Sequence, residues 1–393
     1  MEKRIIALIL VLVFALSTAA CGISDSGPDK NSLPPLVDEV SSQIKEPPEN
    51  IVPAATNAEN IIYSKTLENG LKITVLADGV LRVEGANVEE NFKTHNIFCD
   101  YVADINTLEI GQGVVIVGEK AFSGYDKLQR VIVGDSTEEI QYSAFSGCSA
   151  LTDVSFGNNV KKIEDYVFSD CISLKDAVLG DSVEYLGSYV FSGCTALKNA
   201  QFGANISEMG DNIFSGCTAF VSLRTGSNIA KSTFSGNTRI ESVVMEDSVT
   251  AVGERAFNGC KALKNVTFSP SIREIGDYAF AECISLSVLD LPESEGLEIG
   301  DNAFNGCSGL TTVSLPEGVT KLGEKAFAEC SALEKIVLPK TITSIGYGVL
   351  MNTNSLRTIG YRGSGYEWNT SVTDKDGSWS KNAGASSVKF DVE

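Results

Sequence analysis

The chain has 393 residues, and 43% of them are apolar, so it can bury a substantial core. It carries 31 basic and 51 acidic residues, for a net charge of −20. This balance argues against a nucleic-acid ligand, whose phosphates require a basic footprint, and against electrostatic docking on anionic lipid. We interpret it as an acidic surface that keeps an extracytoplasmic protein soluble.

The first twenty residues have the composition of a signal peptide. Lys3 and Arg4 precede an apolar run from Ile5 to Leu16, which is short for a membrane span. Small residues at 17–20 follow, and then Cys21, so that the segment resembles the lipobox of bacterial lipoproteins. We predict a signal peptide over residues 1–20 and a lipidated Cys21 that anchors the chain to the membrane without spanning it. Plain secretion is the alternative.

Residues 21–60 hold six of the ten prolines and no sustained apolar period, which is typical of a disordered tether. The pattern then changes to alternating apolar residues at Leu71, Ile73 and Val75, followed by Asp78-Gly79 and a second apolar run. Asp-Gly between alternating runs is a strong hairpin signal. We therefore predict a β-hairpin over residues 61–107 that caps the open end of a repeat array.

A phenylalanine recurs at a nearly fixed interval through the middle of the chain. Its positions are Phe122, Phe145, Phe168, Phe191, Phe214, Phe234, Phe257, Phe280, Phe304 and Phe327, with Leu350 in the same place. The step between neighbouring positions is almost constant, and the shorter step from Phe214 to Phe234 is the exception. A fixed period between about 20 and 50 residues predicts a solenoid in which each repeat is one coil stacked on the next.

Two further elements share this period. One is a strand with the spacing L-x-x-L-x-L, as in Leu310, Val313 and Leu315, whose third and fifth residues point outward. The other is an apolar-Gly pair, as in Leu322-Gly323, four residues before the phenylalanine position. We expect the glycine to make a sharp turn into a short helical turn that buries the ring.

Together these elements resemble the 23-residue leucine-rich repeat of BspA-like bacterial surface proteins. One full copy runs from Leu310 through Pro316 and Gly323 to Phe327 and Cys330. The resemblance implies a right-handed coil with a parallel β-sheet on its concave face and short helical or 3-10 turns on its convex face. It covers residues 108–361, an array of about eleven coils, and residues 362–393 would then form a C-terminal cap. Packing over the last coil is the role expected for Trp368 and Trp379 in that cap.

Eight cysteines follow the phenylalanine position by three residues in as many coils: Cys148, Cys171, Cys194, Cys217, Cys260, Cys283, Cys307 and Cys330. They form a column with parallel side chains, whose Cβ atoms lie slightly too far apart for a relaxed disulfide. We predict that the phenylalanines and cysteines are a structural core ladder with free, buried thiols. Pairing of some adjacent cysteines is the alternative.

The coil around Phe234 departs from the pattern. It is three residues short, lacks the apolar-Gly pair and has Asn237 in the cysteine position. We expect a local kink there, at the place where the stack opens most easily.

No catalytic constellation is present in the sequence. His95 and Cys99 are four residues apart, but two such residues fall short of a zinc site, and we interpret them as ordinary residues of the cap. Asp374 to Gly377 is a fragment of a calcium loop, for which a plain turn is the simpler interpretation. We predict no enzyme activity, no cofactor and no metal.

The concave strand face is the candidate binding surface. Its outward polar residues are Arg130, Asp153, Ser155, Asp176, Asn199, Gln201, Arg224, Asn265, Thr267, Asp290, Thr312 and Lys335, with Ser314 and Val337 among the others. It carries no aromatic residue, so the sequence names no energetic centre.

The resemblance implies a non-enzymatic, surface-anchored binding or adhesion protein whose ligand is an unknown protein or glycan at a host or bacterial surface. The alternative is a structural spacer or envelope-organising lipoprotein that self-associates.

Overall fold

The computed structural model describes residues 60–89, 92, 105–372, 378–380, 383–385 and 387–392. The predicted signal peptide, Cys21 and nearly all of the predicted tether lie outside these residues. So do His95, Cys99 and the segment 374–377.

Three antiparallel strands open the described part of the chain: β1 (Ile61–Thr66), β2 (Lys72–Leu76) and β3 (Val80–Glu84). Gly79 takes a φ of +86° in the turn between β2 and β3, a conformation that glycine adopts without steric cost. Ile73 and Val83 face the core and are completely buried. Strand β3 then pairs in parallel with the first repeat strand, so the hairpin continues the sheet of the array and covers its N-terminal end.

The L-x-x-L-x-L segments form a row of parallel strands in three hydrogen-bonded blocks, which are together called the main sheet. Its twelve strands are β4 (Thr107–Ile110), β6 (Arg130–Val133), β8 (Asp153–Ser155), β10 (Asp176–Val178), β12 (Asn199–Phe202), β14 (Ser222–Thr225), β15 (Ser242–Met245), β17 (Asn265–Thr267), β19 (Val288–Leu289), β21 (Thr312–Ser314), β23 (Lys335–Leu338) and β25 (Thr358–Tyr361). Pairing is continuous within three blocks, from β3 to β8, from β10 to β17 and from β19 to β25.

A second parallel ladder of shorter strands precedes the phenylalanine position of each regular coil. It consists of β5 (Ile116–Val117), β7 (Glu139–Ile140), β9 (Lys162–Ile163), β11 (Tyr185–Leu186), β13 (Glu208–Met209), β16 (Ala251–Val252), β18 (Glu274–Ile275), β20 (Leu297–Ile299), β22 (Val319–Leu322) and β24 (Ser344–Ile345). The ladder divides into two blocks, β5–β13 and β16–β24. The division falls at the short coil, where Ile229 makes only an isolated bridge to Val252.

The phenylalanine segment of each coil is a run of short turns with i→i−3 hydrogen bonds, as from Ala121 N to the Gly118 carbonyl, which agrees with the short helical or 3-10 turns expected from the sequence. Residues two before and two after the phenylalanine take positive φ, as at Lys120 (+53°) and Gly124 (+67°) around Phe122. A residue in the left-handed conformation cannot continue a right-handed helix. As a result, every second amide of the segment, such as Ala121 N and Ser123 N, forms its hydrogen bond within its own coil. The amides between them bond to the next coil, as Phe122 N does to the Ala144 carbonyl at 2.8 Å.

The apolar-Gly pairs serve a purpose other than the sharp turn expected. Gly323 has no positive φ, but a Cβ built there would lie 2.4 Å from the backbone of Gly300 in the preceding coil. Glycine is therefore needed at Gly323 because two coils approach closely there.

Phenylalanine rings form a continuous stack through the core. Consecutive rings from Phe122 to Phe327 have centroids 5.1–5.8 Å apart and interplanar angles of 3–14°. Beside the rings, all eight described cysteines are buried and free. Each Sγ donates to the carbonyl of the phenylalanine in the preceding coil, as Cys283 does to Phe257 at 3.2 Å. The structure therefore favours the predicted free thiols over the alternative of adjacent pairing.

The C-terminal segment packs on the last coil. It contains helix α1 (Gly365–Ser371), a 3-10 turn (Ser378–Ser380) and β26 (Val388–Lys389). Ser364 and Glu367 form a capping box at the start of α1. Leu350 N donates to the Trp379 carbonyl at 2.9 Å, so the tail supplies the bonds that a further coil would make. Trp379 is buried and lies 5.7 Å from the Trp368 ring.

Candidate functional site

The candidate surface is the outward face of the main sheet, formed by the third and fifth residues of its L-x-x-L-x-L segments. Parallel register aligns these residues into two rows within each block. Arg130 lies beside Asp153, and Thr312 lies beside Lys335. The period of the sequence thus brings together side chains that stand one full repeat apart in the chain.

Exposure divides the predicted face into three groups. Seven of its residues are exposed: Arg130, Asp153, Asn265, Thr267, Asp290, Thr312 and Lys335. Ser155, Asp176, Gln201 and Arg224 are half-buried. Asn199, predicted to face the solvent, is instead buried at 9% exposure.

Asn199 is buried because the residues beside it on the two neighbouring strands form hydrogen bonds with its side chain. Its Nδ2 donates to Asp176 Oδ1 at 2.8 Å, and its Oδ1 accepts from Ser222 Oγ at 2.7 Å. On the adjacent row, Arg224 pairs with Glu246 at 2.7 Å. Several polar groups in the middle of the face are therefore paired with one another, which leaves fewer of them for a ligand.

Charged groups nearer the two ends of the sheet are available. Within the described residues, the side chains of Arg130, Asp290 and Lys335 make no hydrogen bond or ion pair, although each residue is exposed. A ligand that bound here would not have to break an existing pair. These three residues are the strongest candidates for direct contact on the face.

The C-terminal segment covers one margin of the same face. Arg362, directly after β25, reaches across β23 and donates to the Leu315 carbonyl and to Ser314 Oγ, the latter at 2.9 Å. Val337, an outward position by its place in the strand, is buried at 2% exposure. Tertiary packing of the tail therefore removes part of the predicted surface.

A row of tyrosines on the phenylalanine-turn side was not predicted as a surface. The rings of Tyr166 and Tyr189 stack at 5.0 Å with an interplanar angle of 5°, and Tyr142 meets Tyr166 edge-on at 5.7 Å. Lys120 Nζ lies 5.1 Å above the Tyr142 ring. The sequence signal was present, since the three tyrosines recur once per repeat and precede the phenylalanine position by two or three residues. Tyrosine favours interfaces, so this row is a second candidate surface.

The cysteine column does not have the character of a reactive site. Burial raises the pKa of Cys217 and of Cys330 to about 12 and raises that of Cys283 further. Such thiols stay protonated at neutral pH, and the thiolate is the form that reacts or binds metal. Among the residues that the structure describes, no group of three or more His, Cys, Asp or Glu side chains is arranged to hold a metal ion.

No helix in the described part of the chain combines the length and the apolar character needed to cross a bilayer.

Comparisons with known proteins agree on the repeat. A family profile described as the BspA type leucine rich repeat region matches residues 94–221 and 227–357, in six copies. No curated protein matches the chain.

Several solved structures resemble the chain at low identity. A leucine-rich cell surface protein from Faecalibacterium prausnitzii is 22% identical, over 81% of this chain and 100% of that one, with a TM-score of 0.30. A leucine-rich repeat protein from T. pallidum is 23% identical, over 53% of this chain and 90% of that one, with a TM-score of 0.38. One from Bacteroides ovatus is 21% identical, over 86% of this chain and 99% of that one, with a TM-score of 0.29.

The family profile covers well over half of the chain and coincides with the coils whose phenylalanine stack, cysteine column and two ladders are described above. The protein therefore belongs to the BspA type leucine-rich repeat family.

Proposed function

We propose that the protein is a non-enzymatic binding protein that captures a protein or glycan at a host or bacterial surface through the outward face of its main sheet. Proteins of this family are bacterial surface proteins, their repeat scaffold is typically used for protein binding, and such scaffolds are generally non-enzymatic. The adhesive role, the ligand and the contact residues belong to the proposal.

The supporting observation is the set of exposed, unpaired charges on this face. Arg130, Asp290 and Lys335 have no side-chain partner within the described residues. Arginine in particular is enriched among residues that dominate interface energies. Charges of both signs on one face favour a ligand with a mixed charge pattern over a uniformly charged polymer.

Binding of the protein from residue 60 onward to host matrix and bacterial surface preparations would test the proposal. We expect saturable binding that Arg130→Ala combined with Lys335→Ala weakens by about tenfold or more. Lys261→Ala is the matched control, because Lys261 is exposed on a turn outside the main sheet. Absence of saturable binding, or equal loss with the control, would contradict the proposal.

The tyrosine row provides the alternative surface within the same function. Tyr166→Asn removes the central ring and keeps a residue that tolerates the φ of +59° found there. Loss of binding in this variant, with binding retained in the Arg130 and Lys335 double variant, would place the ligand on the turn side instead.

The proposal includes attachment through a lipid on Cys21, with secretion as the alternative. Metabolic labelling with a fatty-acid analogue should tag the native chain and leave Cys21→Ser untagged in the culture medium. An untagged native chain would favour secretion.

The structural alternative, a self-associating spacer, makes a different prediction. Light scattering over a concentration series would then show a mass that rises with concentration, without capture of a foreign ligand. We expect a constant mass.

A further inference from the structure

The short coil, residues 222–241, runs from the start of β14 to the start of β15 and is three residues shorter than a regular coil. The strand-end residue Thr225 lies five residues before Ala230, whereas the equivalent Phe202 lies eight residues before Gly210. The missing residues therefore fall between the main sheet and the second ladder. Strand β14 still pairs with β15 over four residues, so the shortening does not break the main sheet.

Regular coils are joined on the phenylalanine side by three backbone hydrogen bonds. The amides at positions −2, 0 and +2 relative to the phenylalanine donate to carbonyls at −3, −1 and +1 in the next coil. In the junction before the short one, Tyr189 N, Phe191 N and Gly193 N donate to Asp211, Ile213 and Ser215. The same three bonds, at 2.7–3.0 Å, join every other adjacent pair of coils from Phe122 to Leu350.

The junction between Phe214 and Phe234 has none of these three bonds. The amides of Asn212, Phe214 and Gly216 have no hydrogen-bond partner within the described residues, nor do the carbonyls of Lys231, Thr233 and Ser235. Asn237, in the cysteine position, does not bridge the coils either. Its Oδ1 accepts instead from Arg239 N at 2.9 Å and Ile240 N at 3.0 Å in its own turn.

A half-open slot of about 460 Å³ lies between the two coils, within the range of small-molecule sites. The rings of Phe214 and Phe234 remain stacked at 5.2 Å, and both residues line the slot. A Cβ built on Gly236 would meet nothing within 4 Å, whereas one on Gly259, in the next coil, would lie 3.7 Å from Gly236. The lining is mainly amide and hydroxyl side chains, with Arg239 as its one charged residue.

The chemistry of the two walls restricts the ligand. The lining residues of the Phe214 coil carry the unbonded N–H groups of Asn212, Phe214 and Gly216. Those of the Phe234 coil carry the unbonded C=O groups of Thr233 and Ser235. A small anion would satisfy the first wall and be repelled by the second, and a cation would do the reverse. An ordinary β-strand presents both kinds of group along one edge, so it does not match rows of a single kind. A hydroxyl group both donates and accepts, so a polyhydroxylated ring can bond to both walls.

We propose that this slot binds a neutral saccharide unit, held between the backbone rows of the Phe214 and Phe234 coils. This inference rests on the proposed binding function. It adds one binding site, the slot, and names the chemical class of the ligand at that site. It requires neither the outward face of the main sheet nor the tyrosine row.

Hydrogen exchange by NMR gives the first readout. Without sugar, we expect the amides of Asn212, Phe214 and Gly216 to exchange much faster than those of Tyr189, Phe191 and Gly193 at the matching positions. The probes are glucose, galactose, mannose, N-acetylglucosamine and their disaccharides, each at millimolar concentration. At least one should bind saturably and slow exchange at the three slot amides.

A matched pair of variants provides the second readout. Thr238→Tyr adds a ring at the lining of the slot, and Thr195→Tyr makes the same change at the equivalent exposed threonine of a regular coil. We expect Thr238→Tyr to weaken sugar binding by about tenfold and Thr195→Tyr to leave it unchanged. Far-UV circular dichroism would establish that both variants fold.

The proposal is overturned if none of the sugars binds, if binding survives Thr238→Tyr, or if protection of the slot amides requires a peptide or an inorganic anion. None of these outcomes decides the proposed capture of surface ligands, because that is measured on surface preparations with the Arg130 and Lys335 variants.

Discussion

The junction between the Phe257 and Phe280 coils and the junction between the Phe214 and Phe234 coils share the main sheet and the ring stack, but they differ in backbone bonding. The first has three hydrogen bonds across the phenylalanine side, and the second has none. At about 0.5–1.5 kcal/mol each, three such bonds are worth about 1.5–4.5 kcal/mol. In a solenoid each coil contacts only its neighbours, so this difference remains local.

A repeat array can therefore lose one set of backbone bonds between two coils without losing the ring stack. Side-chain burial holds the short coil in place, since Phe234 is only 2% exposed. Ser227 partly replaces the missing backbone, because its Oγ donates to the Gly203 carbonyl at 2.6 Å and accepts from Ile206 N at 3.0 Å. An irregular coil can therefore form a site while the regular coils supply the stability.

Alkaline pH should cause the largest loss in the free energy of unfolding, because it titrates the buried thiols of the regular coils. Burial raises the pKa of the column thiols above the ordinary value of 9, to about 12 for Cys217 and Cys330. Stability is fully present below pH 9, where the thiols are protonated in both states. It falls as pH rises from 9 towards 12, because the unfolded chain releases protons that the folded chain retains.

Each thiol should contribute about 1.4 kcal/mol of lost stability per pH unit in this window. Urea denaturation between pH 8 and pH 11 would measure the slope. Cys283→Ala should reduce the pH dependence of the free energy of unfolding by the contribution of one thiol. Asn237→Ala in the short coil should leave that pH dependence unchanged. A stability independent of pH in this range would contradict the prediction.

Removing a ring should cost most where both neighbouring junctions are regular. Phe280 is completely buried between Phe257 at 5.2 Å and Phe304 at 5.4 Å, so we expect Phe280→Ala to lower the free energy of unfolding by about 3–5 kcal/mol. Phe234→Ala should fall at the lower end of that range, since the slot beside it lets the site relax. Chemical denaturation of both variants would give the difference in the free energy of unfolding. An equal loss would mean that the slot does not help the packing around Phe234 to relax.

Close packing of regular coils can be tested at glycine. Gly323→Ala should cost about 1–3 kcal/mol, because its Cβ would lie within 2.5 Å of backbone atoms in the preceding coil. Gly180→Ala is the control, since a Cβ there meets nothing within 4 Å and its φ is not positive. Thermal unfolding of the pair should show a lower Tm for Gly323→Ala alone.

The smallest expected effect is a difference in local unfolding between the short coil and the regular coils, detected by proteolysis. Lys231 and Arg239 are exposed in the short coil, and Lys261 is exposed in a regular one. We expect trypsin under native conditions to cut first after Lys231 or Arg239, because fewer backbone bonds must open there. Mass spectrometry of the early fragments would identify the site, and first cleavage after Lys261 would count against the expected weakness of this coil.

Much of the core was predictable because it follows from a single spacing. Phenylalanine at a nearly constant interval implied one ring per coil, and the cysteine that follows it at a fixed distance implied a second column. The candidate face was less predictable. Asn199 occupies an outward position in its strand, but hydrogen bonds from Asp176 and Ser222 bury it. Alternation along a strand predicts the face of the sheet to which a side chain points. It does not predict whether the side chains of neighbouring strands cover that residue.

The sequence by itself determined the solenoid, its repeat boundaries, the ring stack and the position of the irregular coil, because all of these depend on residue type at a fixed period. Tertiary structure decided which outward residues remain free, that Tyr142, Tyr166 and Tyr189 meet as a row, and that the short coil opens a slot instead of closing on its neighbour. These features depend on distances between adjacent coils. Three deleted residues change those distances on one side of the stack while the main sheet keeps its register.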